Sequence, residues 1–188
     1  MGIKATAYNP TPHTHALTDV TGIDTALYGA AGRTQAPVCD FVYSGTFGIG
    51  NASDTSAGGG FSSLVDTAGM WFGAGGGGAG DTTKARVLIP FTGRYEVDWQ
   101  WFVDGVGTSV CSATVTMNGT SVTSNSIAAA QGAGNGWAGP HARVSRVFNA
   151  NDLLYFWMWQ GSGATRTVYG TWFGGVRTRG TIRWVGPA

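Results

Sequence analysis

The alternation of apolar and polar residues from Tyr95 to Trp101 constrains the fold more than any other feature of this sequence. Tyrosine, valine and tryptophan occupy every second position, with Glu96, Asp98 and Gln100 between them. Because successive side chains of a β-strand point to opposite faces of its sheet, the pattern predicts a strand with one buried face and one face in water. Such a strand needs a second layer to cover its apolar face.

Further strand signals surround this segment. The predicted strands lie at 36–45, at 85–103 in two segments broken by Pro90 and Gly93, and at 110–116, 153–159, 167–173 and 176–185. Asn118-Gly119 predicts a hairpin, and the segment 153–159, apolar on both faces, predicts a strand buried between two layers. We interpret the glycine-rich stretches 46–60 and 73–80 and the alanine- and glycine-rich stretch 127–140 as loops.

The pattern changes near residue 35, which divides the chain into two parts. Residues 1–35 form an arm with several prolines and one short apolar helical turn, which needs partner copies to be stable. Residues 36–188 carry the strand signals without a long helical pattern, and the 32 glycines of the chain argue against a helical bundle. The sequence therefore predicts an all-β antiparallel sandwich, in the form of a jelly roll, preceded by an extended N-terminal arm.

The charge of the chain is low and balanced. The 11 lysines and arginines face 10 acidic residues, so the net charge of +1 provides no broad field for nucleic acid or anionic lipid. Charged residues make up 11% of the chain, against about 25% in typical soluble domains, and we therefore expect contact with other protein in an oligomer. The first residues lack the apolar run of a secretory signal, and we expect synthesis in the cytoplasm without membrane insertion.

The segment HTHALTDVTGIDTAL resembles the His-x-His and Asp-Val-Thr-Gly-hydrophobic segments of bacteriophage tail-fibre and minor tail proteins, where they lie in trimeric stalks or connectors. The resemblance implies that residues 1–35 anchor the chain to other virion proteins. His13 and His15 are one residue apart, so a threefold axis would gather six imidazoles into a ring suited to an octahedral metal such as iron or nickel. The alternative is two solvated histidines in a stalk, which requires no cofactor.

Four later segments are similar, in order, to the globular heads of the tumour necrosis factor and complement superfamily. They are VLIPFTGRYEVDWQWFV, ATVTMNGTSV, VFNANDLLYFWMW and TWFGGVRT. Gly93-Arg94-Tyr95 and Asn118-Gly119 match the family's Gly-x-Tyr strand and Asn-Gly hairpin, whereas Asn151-Asp152 replaces its Gly-Asp. The resemblance implies a ten-stranded jelly roll that assembles as a homotrimer around an aromatic-rich axis, a head that phage fibre tips also use.

A candidate contact surface lies near the carboxyl end of the chain. Arg177, Arg179 and Arg183 share strand parity, which predicts a cationic stripe on one face of a strand. Guanidinium groups bind sulfate, phosphate and carboxylate well, so this stripe could contact an acidic glycan of the host surface. The alternative is that the arginines pair with carboxylates such as Glu96 or Asp98, across strands or between subunits.

The tryptophans and cysteines also have candidate roles. Trp137, in the loop GNGWAGPH, is the best candidate for an exposed tryptophan that contacts a ligand, with capping of the barrel end as the alternative. The strand pattern indicates the core or the trimer axis for a second set, Trp99, Trp101, Trp157 and Trp159. Cys39 and Cys111 fit buried thiols in a chain without an export signal, with a disulfide as the alternative.

The sequence carries no Gly-x-Ser-x-Gly elbow and no acidic pair in a catalytic context, so we expect a protein that is not an enzyme. The resemblances imply a structural protein of the bacteriophage virion, exposed on the particle surface. The first interpretation is a trimeric tail-fibre or tip protein, a minor tail protein that projects a jelly-roll head for host adhesion. The alternative, favoured by the short chain, is a capsid decoration or head-fibre trimer that binds and stabilises the shell.

Overall fold

The computed structural model describes residues 36–75, 80, 81, 83–133, 137–171, 175 and 178–188, so the predicted arm lies outside the described residues. In the described ranges the regular structure is entirely β-strand. The strands are β1 Val38–Tyr43, β2 Thr46–Ile49, β3 Thr55–Ser56, β4 Phe61–Asp66, β5 Trp71–Phe72, β6 Arg86–Leu88, β7 Gly93–Gln100, β8 Phe102–Asp104, β9 Val110–Met117, β10 Ser126–Ala133, β11 Trp137–Ala138, β12 His141–Phe148, β13 Leu153–Gln160, β14 Arg166–Tyr169 and β15 Arg179–Gly186.

Two large sheets enclose the core, and a small sheet lies at one end of them. The first large sheet has the strand order β12-β7-β15-β1-β4, and the second has the order β10-β9-β13-β6-β5, with β3 also paired to β13. The small sheet has the order β11-β8-β14-β2. Every strand pair is antiparallel. The predicted all-β antiparallel jelly roll is confirmed, and β3 and the small sheet are additions to its ten main strands.

Aromatic side chains fill the space between the two large sheets. Phe41 stacks on Trp71 and Trp99, with ring centroids 4.4 Å and 6.0 Å apart. Trp99 and Trp101 are fully buried in this core, which confirms the core interpretation for these two. Trp157 is also buried, but on the opposite face of β13 from the core residue Phe156. The large apolar side chains that the described residues expose are all aliphatic, namely Leu64, Val65, Val110, Val147 and Val185. One chain therefore covers these tryptophans by itself, without a threefold axis.

Strand continuity shows at which end of the sandwich residue 36 lies. β1 and β15 are antiparallel neighbours, with Val38 opposite Arg183, so residue 36 and the last residues of the chain lie at the same end of the first sheet. β1 leads into β2 and β7 into β8, while β11 and β14 precede β12 and β15. The small sheet therefore lies at the opposite end, which we call the far end. The end at residue 36 is the entry end.

The hairpin predicted at Asn118-Gly119 is confirmed, but with a longer loop than an Asn-Gly turn implies. β9 and β10 pair antiparallel, and residues 118–125 connect them. Asn118 has a φ of 57°, the left-handed conformation that Asn tolerates. The loop predicted for 127–140 was wrong, because most of it forms β10 and β11. Pairing with β9 supplies the order that the alanine- and glycine-rich sequence of β10 does not signal.

Asn151, which stands where the globular heads that the sequence resembles carry glycine, has a conformational explanation. Asn151 has a φ of 71°, in the left-handed region where Gly is most tolerated and Asn is the usual substitute. The neighbouring Asp152 is buried, and its carboxylate accepts hydrogen bonds from the backbone N–H of Asn149 at 2.8 Å and from Nδ2 of Asn118 at 2.7 Å. These bonds join the β9–β10 and β12–β13 connections at the entry end.

Candidate functional site

The outer face of the first large sheet, on the side away from the core, is polar. The alternation along β7 turns Tyr95, Val97 and Trp99 inward, so the residues between them face outward. The register of β12, β7 and β15 then aligns three rows, which are His141–Gln100–Arg179, Arg143–Asp98–Thr181 and Ser145–Glu96–Arg183. We call these nine residues the polar face.

Asp98 is the centre of the polar face. Its carboxylate contacts Nε2 of His141 at 2.5 Å and accepts hydrogen bonds from Nε and Nη2 of Arg143 at 3.0 Å and 2.7 Å. Hydrogen bonding to Asp98 raises the pKa of Arg143, and the negative charge of Asp98 adds to this effect. The two basic residues belong to β12, so both contacts cross from β7 to the edge strand of the sheet.

A groove of about 190 Å³ runs across the polar face. Its lining comprises Glu96, Val97, Asp98, Arg143, Ser145, Thr181 and Arg183. Arg183 lies directly opposite Glu96 in the register of β15 and β7, yet within the described ranges neither side chain forms an ion pair. Asp98 is engaged by Arg143 and His141. Among the described residues, the alternative in which Arg183 pairs with Glu96 or Asp98 across strands is therefore not found. The Arg183 guanidinium and the Glu96 carboxylate can therefore meet groups from another molecule.

The structure places two of the predicted contact residues on one face. The others lie elsewhere in the fold or outside the described residues. Arg179 and Arg183 are exposed on the same face of β15, as their parity predicts, while Arg177 lies outside the described residues. Trp137 lies in β11 at the far end, where its backbone pairs with Asp104 of β8. His13 and His15 lie outside the described residues. The metal ring and the ligand contacts therefore remain predictions.

Sequence reasoning missed the role of His141. The sequence marks it only as the one histidine outside the arm, and gives no partner for it. The alternation of His141, Arg143 and Ser145 along β12 was a usable signal, because it puts three polar side chains on one face. Their contact with Asp98 requires the register of β12 on β7, which the sequence does not specify.

Two further observations concern metals and membranes. Across the part of the chain that the structure describes, no group of three or more His, Cys, Asp or Glu side chains is close enough together to hold a metal ion. The same described residues contain no helix with the length and hydropathy that crossing a membrane requires.

Comparison with known proteins identifies the fold. No protein-family model matches the sequence, and no curated protein matches it significantly. Among solved structures, Eiger TNF from S. frugiperda is similar with a TM-score of 0.56 and 10% sequence identity, over 81% of this chain and 94% of that chain. Murine APRIL at pH 8.0 is similar with a TM-score of 0.50 and 12% identity, over 80% of this chain and 100% of that chain. The head is therefore a tumour necrosis factor-like jelly roll, and the similarity at these identities concerns the fold alone.

Proposed function

We propose that this chain is a structural protein of a bacteriophage virion, a homotrimeric tail-fibre or tip protein whose jelly-roll head adheres to the host surface and catalyses no reaction. The observation that carries the proposal is the combination of two parts in one chain. Residues 13–27 resemble the trimeric connectors of phage tails, and the chain after residue 35 folds into a tumour necrosis factor-like head.

The geometry of the head supports a role in adhesion. An arm that anchors the head meets it at the entry end, so the far end with the small sheet projects outward. Trp137 lies in that small sheet, and Arg179 lies at the far end of the polar face, opposite Gln100. Both belong to the set proposed to contact a host glycan, which also includes Arg177 and Arg183. Three weak contacts on one rigid trimer gain affinity through effective concentration, and several trimers on a particle increase it further.

The trimer is tested by sedimentation. We expect the full-length chain at micromolar concentration to sediment with about three times the 19.4 kDa mass of one chain. The unpaired Arg183 and Glu96 of the polar face are of opposite charge and suit contacts between copies. A well-folded single chain under these conditions would contradict the proposal.

The position on the particle is tested by labelling the carboxyl terminus and counting copies in purified virions. A few copies, found only where tails are present, support the tail-fibre assignment. Many copies on heads that lack tails would instead select the second candidate, a capsid decoration trimer that stabilises the shell.

A further inference from the structure

A second depression, separate from the polar face, lies at the far end of the sandwich. It occupies about 160 Å³ between the start of β4 and the short strands β2 and β3. The residues that line it are Phe47, Thr55, Ser56, Gly58, Gly59 and Phe61, and we call it the Phe47 pocket. Its volume is below the roughly 300–1,000 Å³ of pockets for drug-sized ligands, which suits a ligand of one ring.

Aromatic rings form the apolar side of the Phe47 pocket. Phe47 is half-buried, and its ring contacts Tyr43 edge to face with centroids 4.9 Å apart. Phe61 packs on the same tyrosine at 5.0 Å, and Phe47 and Phe61 are 6.5 Å apart. Each ring is therefore held by its neighbours before any ligand arrives, and this lowers the entropic cost of binding against it.

Small polar groups form the rim of the pocket. Thr55 and Ser56 are consecutive in β3, so their side chains alternate and one of the two hydroxyls faces the pocket. Gly58 and Gly59 contribute backbone without side chains, and a Cβ added to Gly59 would meet no atom within 4 Å. No charged residue lines the pocket, so nothing there selects an ionic ligand. The pocket suits a neutral ring that has an apolar face and hydroxyl groups at its edge.

We propose that the Phe47 pocket binds one neutral pyranose unit of a host surface saccharide, with the C–H face of the sugar on Phe47 and its hydroxyls at the polar rim formed by β3. The inference rests on the adhesion function proposed above, and it adds the substrate class and the site. The far-end location favours this role, because a head anchored through residue 36 presents this end to the outside.

The test uses the purified full-length protein, ¹⁵N-labelled, titrated separately with the methyl glycosides of glucose, galactose and N-acetylglucosamine. We expect saturable shifts of the Gly58 and Gly59 amide signals with at least one sugar, at millimolar concentrations. Gly59→Gln adds a long side chain to the lining of the pocket at a position where a Cβ meets no atom within 4 Å, and should weaken binding by about tenfold or more. Gly186→Gln is the matched control, since a Cβ at Gly186 also meets no atom within 4 Å and lies outside the pocket.

A second variant keeps the test informative if Gly59→Gln perturbs the loop. Phe47→Leu preserves an apolar side chain but removes the ring face, and should also weaken binding. The inference is wrong if none of the three sugars shifts these amides up to about 50 mM, or if Gly186→Gln weakens binding as much as Gly59→Gln. Because purified protein is used, such a failure leaves the virion assignment intact, and a chain absent from virions would leave a measured sugar affinity intact.

Discussion

The indole Nε1 of Trp99 donates a hydrogen bond of 2.9 Å to the backbone carbonyl oxygen of Trp157. Trp99 lies in β7 of the first large sheet and Trp157 in β13 of the second, so this bond crosses the core. Both residues are buried, at 0% and 6% exposed. A polar N–H in such surroundings would be costly without a partner, so the bond selects one way of packing the two sheets.

Replacement of Trp99 by phenylalanine should therefore destabilise the head. The variant loses the hydrogen bond between the sheets and leaves part of the indole volume empty, which together cost about 2–4 kcal/mol. The measurement is the free energy of unfolding in urea, compared with Trp159→Phe at a half-buried tryptophan of β13. Equal losses in the two variants would contradict the role given to Trp99.

Gly180 should not tolerate alanine, because a Cβ at this position would overlap the ring of Phe41. Phe41 is fully buried among other rings and cannot move aside, so the substitution should cost about 1–3 kcal/mol of stability. Gly186→Ala, in the same strand, has open space for its methyl group and should change little. Thermal unfolding of the two variants tests the pair, and a stable Gly180→Ala variant would show that the core is looser than described.

Asn151 should accept glycine but not valine. Its φ of 71° is open to glycine at no steric cost, whereas a β-branched side chain is strained there by about 1–2 kcal/mol or more. Chemical denaturation of Asn151→Gly and Asn151→Val measures the difference. If valine were as stable as glycine at this position, the left-handed conformation would not explain the departure from Gly-Asp.

The stability contribution of Asp81 should disappear in acid. Hydrogen bonds from Lys84 and Thr83 lower the pKa of Asp81 from 3.8 to about 2 in the folded protein. A depressed folded pKa stabilises the fold above the unfolded pKa, and this contribution is lost as the pH falls from about 4 through about 2. The stability difference between the wild type and Asp81→Asn should shrink over this window. A difference that stays constant down to pH 2 would exclude the mechanism.

The two cysteines should be unreactive free thiols in the folded protein. Burial raises the pKa of Cys111 to about 11 and also raises the pKa of Cys39, where Asp66 and Asp40 add to the effect. A thiol reagent at pH 8 should label neither residue until denaturant is added, and should then label both. Cys39→Ala should reduce the final count to one. A chain that yields no thiol after unfolding would support the disulfide alternative.

The sequence predicts the fold best where the pattern of apolar and polar residues within one segment determines its secondary structure. Alternation defines β7, and the apolar run of β13 marks a strand covered on both faces. The sequence predicts less where a segment becomes a strand only because it pairs with a neighbouring strand. β10 has the sequence SIAAAQGA, with little intrinsic strand preference, and its strand state depends on hydrogen bonds to β9. The loop interpretation of 46–60 is likewise wrong at β2 and β3, because pairing with β14 and β13 supplies the order that this glycine-rich sequence does not signal.

The candidate sites also divide into features that a local sequence pattern predicts and features that depend on pairing between strands. The shared face of Arg179 and Arg183 is a local property of β15 and follows from parity. The Asp98 contacts with His141 and Arg143 depend on register between strands distant in sequence. Arg86 shows a third limit, because a charged residue is fully buried with its guanidinium 5.2 Å from the Phe72 ring centroid. Only the assembled core provides that environment.

The position of β1 between β15 and β4, with Val38 opposite Arg183, determines how the head responds to mechanical load. A pull between residue 36 and the far end acts along β1, and the hydrogen bonds on both of its sides are perpendicular to that direction, so they must break together in shear. A pull between residue 36 and the carboxyl terminus would instead unzip β1 from β15 one bond at a time. A head that is held through residue 36 at the entry end and bound to a ligand at the far end is thus loaded in the direction in which it resists force best.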